Sequence, residues 1–210
     1  MSNITFDAEG KTETLKEDIE WLRLWCEETN DQNLPRVALI GDSITEGYFR
    51  YVLNALKGIA RVDVLTTSYS IKSNAYNMMV KSFVADSDYA VVHYNYGLHA
   101  HSVDDDTYEE ECAAMLDYIA KRAKVVVGTS TIVLENDLQT ESANWQGKVR
   151  TRNERLLKIA KAKGFVIDDL NSISRTLLGD YRAPDGVHFS EKGYEVLAGY
   201  VVESIKKVLG

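Results

Sequence analysis

The chain has 210 residues, 45% of them apolar, with 24 Lys+Arg against 32 Asp+Glu for a formal net charge of −8. That length suits one α/β domain with a sizeable core. The acidic balance repels a phosphate backbone and offers no polybasic membrane patch, which excludes nucleic acid and membrane as expected partners. No stretch approaches the roughly 20 apolar residues of a spanning helix. The opening MSNITFDAEGKTETLKEDIE lacks the basic start and apolar run of a signal peptide, so a cytoplasmic protein is expected, though a mature secreted chain would read the same way. Cys26 and Cys112 are far apart and form no C-x-x-C pair. They are expected to be buried apolar residues rather than a disulfide or zinc site.

In chain order, Thr14 and Glu17 make a capping box, and Leu15, Ile19, Leu22 and Cys26 share a helical face. This predicts an N-terminal helical extension over residues 1–34, ended by Asn30 to Pro35. The apolar run Val37-Ala38-Leu39-Ile40 then stops at Gly41-Asp42-Ser43, as expected of a central parallel strand buried on both faces. Val62 to Thr67, Ala90 to Tyr94, Lys124 to Gly128 and Phe165 to Asp168 read as further strands. Helical periodicity falls between them, as in Thr107 to Arg122 and Val149 to Lys163, and a last helix begins near Ser190. Five strands with intervening helices predict a three-layer α/β/α sandwich, flavodoxin-like, on a doubly wound five-stranded parallel sheet over residues 35–210.

Ligands of such sheets bind outside the carboxyl ends of the strands. There the sequence delivers Asp42-Ser43, then Thr67 to Ser73, then Asn95-Tyr96-Gly97-Leu98-His99, with Asp185-Gly186-Val187-His188 before the last helix. A serine hydroxyl needs a base within hydrogen-bond reach, itself oriented by a third group. Ser43, at a strand-to-helix turn, suits a nucleophile whose own N–H faces an oxyanion, and a helix cap is the simpler reading of Asp42-Ser43. Asp185 and His188 have a spacing that lets the carboxylate hold one imidazole nitrogen while the other faces the serine.

With these blocks in view, the sequence resembles the SGNH or GDSL hydrolases. The resemblance is carried by GDSITEGY (Gly41 to Tyr48) after a hydrophobic strand and by DGVHFSEKGYEVLA (Asp185 to Ala198), and it covers the chain from about Arg36 onward. It implies that Ser43 is the nucleophile, His188 the base and Asp185 its orienting partner.

The middle blocks depart from the family pattern. Ser68 to Ser73 contains no glycine where members supply an oxyanion amide, which leaves the Ser70 amide as the candidate. The third block is usually Gly-x-Asn-Asp; here it reads as an N-x-G-L-H variant, with Asn95 the expected oxyanion donor and Gly97 a backbone alternative. Asp42, His99 and Trp145 are weaker substrate-binding candidates, and Arg50, Lys72, Arg150 and Arg152 are possible cleft cations. Of His93, His99 and His101, the last two have ligand spacing but follow Gly97 in an expected loop, and no acidic ligand appears until Asp104 to Asp106, so no metal is expected: His93 packs in or beside the sheet, His99 lines the cleft and His101 is solvated. Asp104 to Asp106 read as the cap of the following helix.

The expected activity is serine carboxylic-ester hydrolysis through an acyl-enzyme, with no cofactor, on a small-molecule ester that is first of all O-acetylated carbohydrate. A lipid acyl hydrolase or thioesterase, and a degenerate binding protein, are the alternatives. Oligomeric state is not legible.

Overall fold

The structure, a computed structural model, describes residues 16–99 and 103–210. Five parallel strands, β2 (Arg36–Gly41), β3 (Arg61–Thr67), β4 (Tyr89–Asn95), β5 (Lys124–Gly128) and β6 (Val166–Asp168), form one sheet with β1 (Leu22–Cys26) in the order β1-β3-β2-β4-β5-β6. Between them run the helices α1 (Ser43–Ala55), α2 (Asn74–Asp86), α3 (Asp105–Ala120), α4 (Ala143–Lys163), α5 (Leu170–Ser174) and α6 (Glu191–Leu209). Along β2, Val37 and Leu39 enter one apolar cluster with α1 and α6, while Ala38 and Ile40 enter another with α2, α3 and α4. Because successive side chains of a strand point to opposite faces, this run had to be apolar at every position. The three-layer sandwich follows from that two-sided burial. No helix among the described residues is long and apolar enough to cross a membrane.

The N-terminal segment departs from the helix expected there. Thr14 lies outside the described residues, as does Leu15, but Leu22–Cys26 is a strand paired antiparallel to β3, from Leu22 opposite Thr67 to Cys26 opposite Asp63. The sheet therefore has six strands rather than five, one of them antiparallel. The helical period fails because no core face awaits it: Ile19, Leu22 and Leu24 remain exposed. What the segment satisfies instead is the open hydrogen-bonding edge of β3, a demand that outweighs local propensity. Cys26 is exposed, against expectation, whereas Cys112 is buried.

Ahead of β1, residues 17–21 form a strap across the end of β3. The Trp21 carbonyl accepts from Thr67 Oγ1 at 2.7 Å and from Ser68 N at 3.2 Å. Trp21 N donates to Ser68 Oγ, and that hydroxyl donates to Glu20 Oε2 at 2.7 Å. The strap thus leans on the loop that carries Ser70.

At the end of β2, Gly41 pairs with both Thr66 and Asn95. A Cβ there would lie 2.5 Å from the Asn95 backbone oxygen and would also meet Thr45 Oγ1. Overpacking of this kind costs about 1–3 kcal/mol. Gly41→Ala is therefore expected to lower the midpoint of urea unfolding by that much stability, and an unchanged midpoint would contradict the close approach.

Candidate active site

The chain leaves β2 through Asp42, which caps α1: its Oδ1 accepts from Ile44 N at 3.0 Å. Ser43 is the first residue of α1, a position whose N–H has no acceptor within the helix. Since β3 and β4 flank β2 on opposite sides, Ser43 stands where the strand order reverses. That is the place where open α/β sheets gather their ligands.

The loop between Arg182 and α6 brings the second group. Arg182 is buried and donates to the carbonyls of Leu177, Ile132 and Ser174 while stacking over the Phe189 ring. Gly186 takes φ +70°, and its carbonyl accepts from Leu134 N at 2.9 Å. The tight turn that results lets Asp185 Oδ1 accept from the N–H groups of Val187, 2.9 Å, and His188, 2.8 Å.

Asp185 Oδ2 then lies 2.7 Å from His188 Nδ1, and His188 Nε2 lies 2.8 Å from Ser43 Oγ. A carboxylate accepts only, so Nδ1 carries the proton and Nε2 is left to accept from the serine hydroxyl. Partial burial pushes the Asp185 carboxyl up, but the hydrogen bonds and charge of His188 outweigh it and leave Asp185 below the usual carboxylate range. It stays ionised wherever His188 works as a base.

The other sequence candidates fare differently. Asn95 is buried, and its Nδ2 donates to the carbonyls of Gly128 at 3.0 Å and Thr129 at 3.1 Å. Both amide hydrogens are thus committed to the end of β5, which removes Asn95 as an oxyanion donor. Gly97 N and Leu98 N approach Asp42 Oδ2 at 3.4 and 3.3 Å. The Gly97 amide is therefore turned to Asp42 rather than to substrate. Asp42 itself is 1% exposed and ties the turn of Ser43 to the loop after β4, so it does not bind substrate. Ser70 is buried, its carbonyl accepts from Ser73 N and its hydroxyl from Lys72 N; its own N–H has no partner among the described residues. Trp145 is half-buried and packs against the cluster beneath α1 and α6.

Among the possible cations, Arg50 lies over the rings of Trp25 and Phe49, and Lys72 and Arg150 are exposed. Arg152 is no cleft cation. It is fully buried, Nη1 donating to the carbonyls of Gly97 and His99 at 2.9 Å each and Nη2 to Val103 at 3.2 Å, with the guanidinium over the Tyr108 ring. It is the clamp of the loop after β4 that Asp42 also holds, a role that sequence reading misses because three acceptors from one distant loop leave no local pattern. Each buried carbonyl stranded by its loss costs about 1–3 kcal/mol. Arg152→Ala is expected to destabilise the fold by upwards of about 3 kcal/mol in chemical denaturation, and Arg152→Lys to recover little, because an ammonium cannot span three carbonyls.

No group of His, Cys, Asp and Glu among the described residues has the arrangement of a metal site. His93 is buried in the sheet, its Nε2 3.0 Å from Asp168 Oδ2, and Asp104 caps α3 through Thr107 N. His99 is mostly buried, with Nδ1 2.9 Å from Glu17 Oε1. His101 lies outside the described residues. A surface cavity lined by Tyr89, Lys124, Phe165 and Val208 opens at the amino ends of β4 and β5, far from this chemistry.

No protein-family model and no curated protein matches the chain. Solved structures do. An acetyl xylan esterase, AlAXEase, superposes with a TM-score of 0.67 at 20% identity over 81% of this chain and 99% of its own. A lipase/acylhydrolase from Enterococcus faecalis gives 0.65 at 18% over 82% and 96%. A GDSL-like lipase from Bacteroides thetaiotaomicron gives 0.64 at 22% over 82% and 88%. The chain is built on the α/β/α fold that these GDSL-like lipases, acylhydrolases and acetyl xylan esterases share.

Proposed function

We propose that the chain is a serine carboxylic-ester hydrolase that works through an acyl-enzyme on small acyl esters, O-acetylated carbohydrate first among them. The hydrogen-bonded line from Asp185 through His188 to Ser43 carries this reading. Ser43 Oγ attacks the ester carbonyl as His188 Nε2 takes its proton, with Asp185 holding the imidazolium. The Ser43 and Ser70 amides face the developing oxyanion. His188 protonates the leaving alcohol, then takes a proton from water as it attacks the acyl carbon, and returns that proton to Ser43 Oγ as the acid leaves.

The side chains of His188 and Asp185 are 38% and 51% exposed. Such an open site suits a short acyl group carried on a bulky polar alcohol better than a long chain that needs an apolar tunnel. The similarity to acetyl xylan esterases supports the same choice.

Hydrolysis of p-nitrophenyl acetate by the wild type but not by Ser43→Ala is the expected result. Equal rates would leave a ligand-binding protein with an inert site. Acetylated sugars compared with longer acyl and thioester substrates then test the acyl preference, and a preference for long chains would favour a lipid acyl hydrolase or thioesterase.

A further inference from the structure

The hydrogen bond between Ser43 and His188 joins two separate elements, the start of α1 and the loop that leads into α6. Its length therefore depends on how those two are seated on each other, and a ring lies at that seat. We propose that Tyr194, wedged against Gly47, is a positioning residue that sets the reach of His188 to Ser43; this rests on the reading of Ser43 as nucleophile.

On the α6 side, Ser190 caps the helix, its hydroxyl accepting from Gly193 N at 3.4 Å. Phe189, which follows His188, thus stands just before the cap and Tyr194 is the fourth helical residue. This is the pair that forms a hydrophobic staple and fixes the angle at which a chain enters a helix. Their rings meet edge-on with centroids 5.6 Å apart. Phe189 is held in turn: it is buried, and the Arg182 guanidinium lies over its ring at 3.9 Å. The loop is also closed on itself, Ala183 N donating to His188 O and Ser190 N to Tyr181 O at 3.0 Å each. With the Asp185 contacts to His188 lying inside it, the loop shifts as one piece and carries the base with it.

On the α1 side, Gly47 comes four residues after Ser43, on the same helical face one turn further on. Glycine inside a helix is less stable than alanine, and no positive φ calls for it here. What calls for it is room, since a Cβ on Gly47 would collide with Cζ and Cε1 of Tyr194. The ring therefore rests on the α1 backbone beside the nucleophile. Burial pushes the Tyr194 phenol up; the Phe189 N–H opposes that shift, and the charges of Asp42 and Asp185 add to it. A phenol that feels both carboxylates stands between the turn before Ser43 and the loop that carries His188.

The test uses the full chain and p-nitrophenyl acetate. Misplacing reacting groups by about 1 Å costs about 10²-fold in rate. Gly47→Ala and Tyr194→Ala are each expected to lose about that much kcat, with KM little changed. Tyr194→Phe, which returns the ring without its hydroxyl, is expected to recover most of the turnover lost in Tyr194→Ala. Because Gly47→Ala acts only by meeting the ring, the double variant should be no slower than Tyr194→Ala alone. Thermal unfolding midpoints above the assay temperature confirm that folded proteins are compared. The inference is overturned if either Gly47→Ala or Tyr194→Ala keeps its turnover, if only KM moves, if Tyr194→Phe is as slow as Tyr194→Ala, or if the two losses add in the double variant. Absence of Ser43-dependent hydrolysis in the wild type is a different failure: it removes the esterase reading, and this inference with it.

Discussion

Ser43→Ala is expected to lower kcat by about 10⁶-fold, and His188→Ala to cost about as much, because nucleophile and base act as one unit. The double variant should be scarcely slower than either single one. The geometry behind this is the 2.8 Å approach of His188 Nε2 to Ser43 Oγ. Without the imidazole the hydroxyl has no acceptor for its proton, and without the hydroxyl the imidazole has nothing to deprotonate. What survives is the catalysis of the oxyanion donors alone. Pre-steady-state measurement with p-nitrophenyl acetate should show a burst of one p-nitrophenol per active site if acylation outruns deacylation. Losses in the two single variants that add up in the double would contradict the coupled pair.

Asp185→Asn is the second large effect, about 10⁴-fold in kcat. The amide can offer a hydrogen to Nδ1, which moves the imidazole proton to Nε2, and the nitrogen that faces Ser43 then no longer accepts. KM should change little, since the carboxylate has no direct contact with Ser43. A loss smaller than about tenfold would show that the His188 tautomer is held by something other than Asp185.

The same residue carries a pH dependence of stability. Its folded pKa lies below the ordinary carboxylate value, which for an unfolded Asp is about 3.9. Its contribution is thus fully present above that pH and fades as pH falls through the lower folded value. The wild-type protein is expected to lose more stability than Asp185→Asn between about pH 5 and pH 2, which urea unfolding across that range would measure. With about half of the side chain exposed, solvent screening keeps the difference small.

Much of this is legible in the chain itself. The central strand β2 announces itself as the apolar run Val37 to Ile40 because burial on both faces selects apolar side chains at successive positions, and Asp42, Ser43, Asp185 and His188 lie at the strand and helix ends where such a fold collects chemistry. The N-terminal segment misleads because the helical spacing of Leu22 and Cys26 is a local signal, whereas the demand it answers is the unpaired edge of β3, which lies far along the chain at Asp63 to Thr67. Asn95 misleads for a related reason: an amide at a strand end is equally suited to an oxyanion or to neighbouring carbonyls. Only the position of β5 beside β4 shows that Gly128 and Thr129 take both of its hydrogens.

The layered fold from Arg36 onward, and the residues that close the line from Asp185 to Ser43, can be read from the linear chain because both depend on patterns within short segments. How the rest of the site is supported emerges only in three dimensions: the Arg152 clamp, the Asp42 tie between two loops, and the Glu17 strap against His99. Each of these joins groups far apart in the chain through hydrogen bonds whose partners are backbone atoms or single side chains. Such atoms carry no residue-type signature, so nothing in a linear reading points to them.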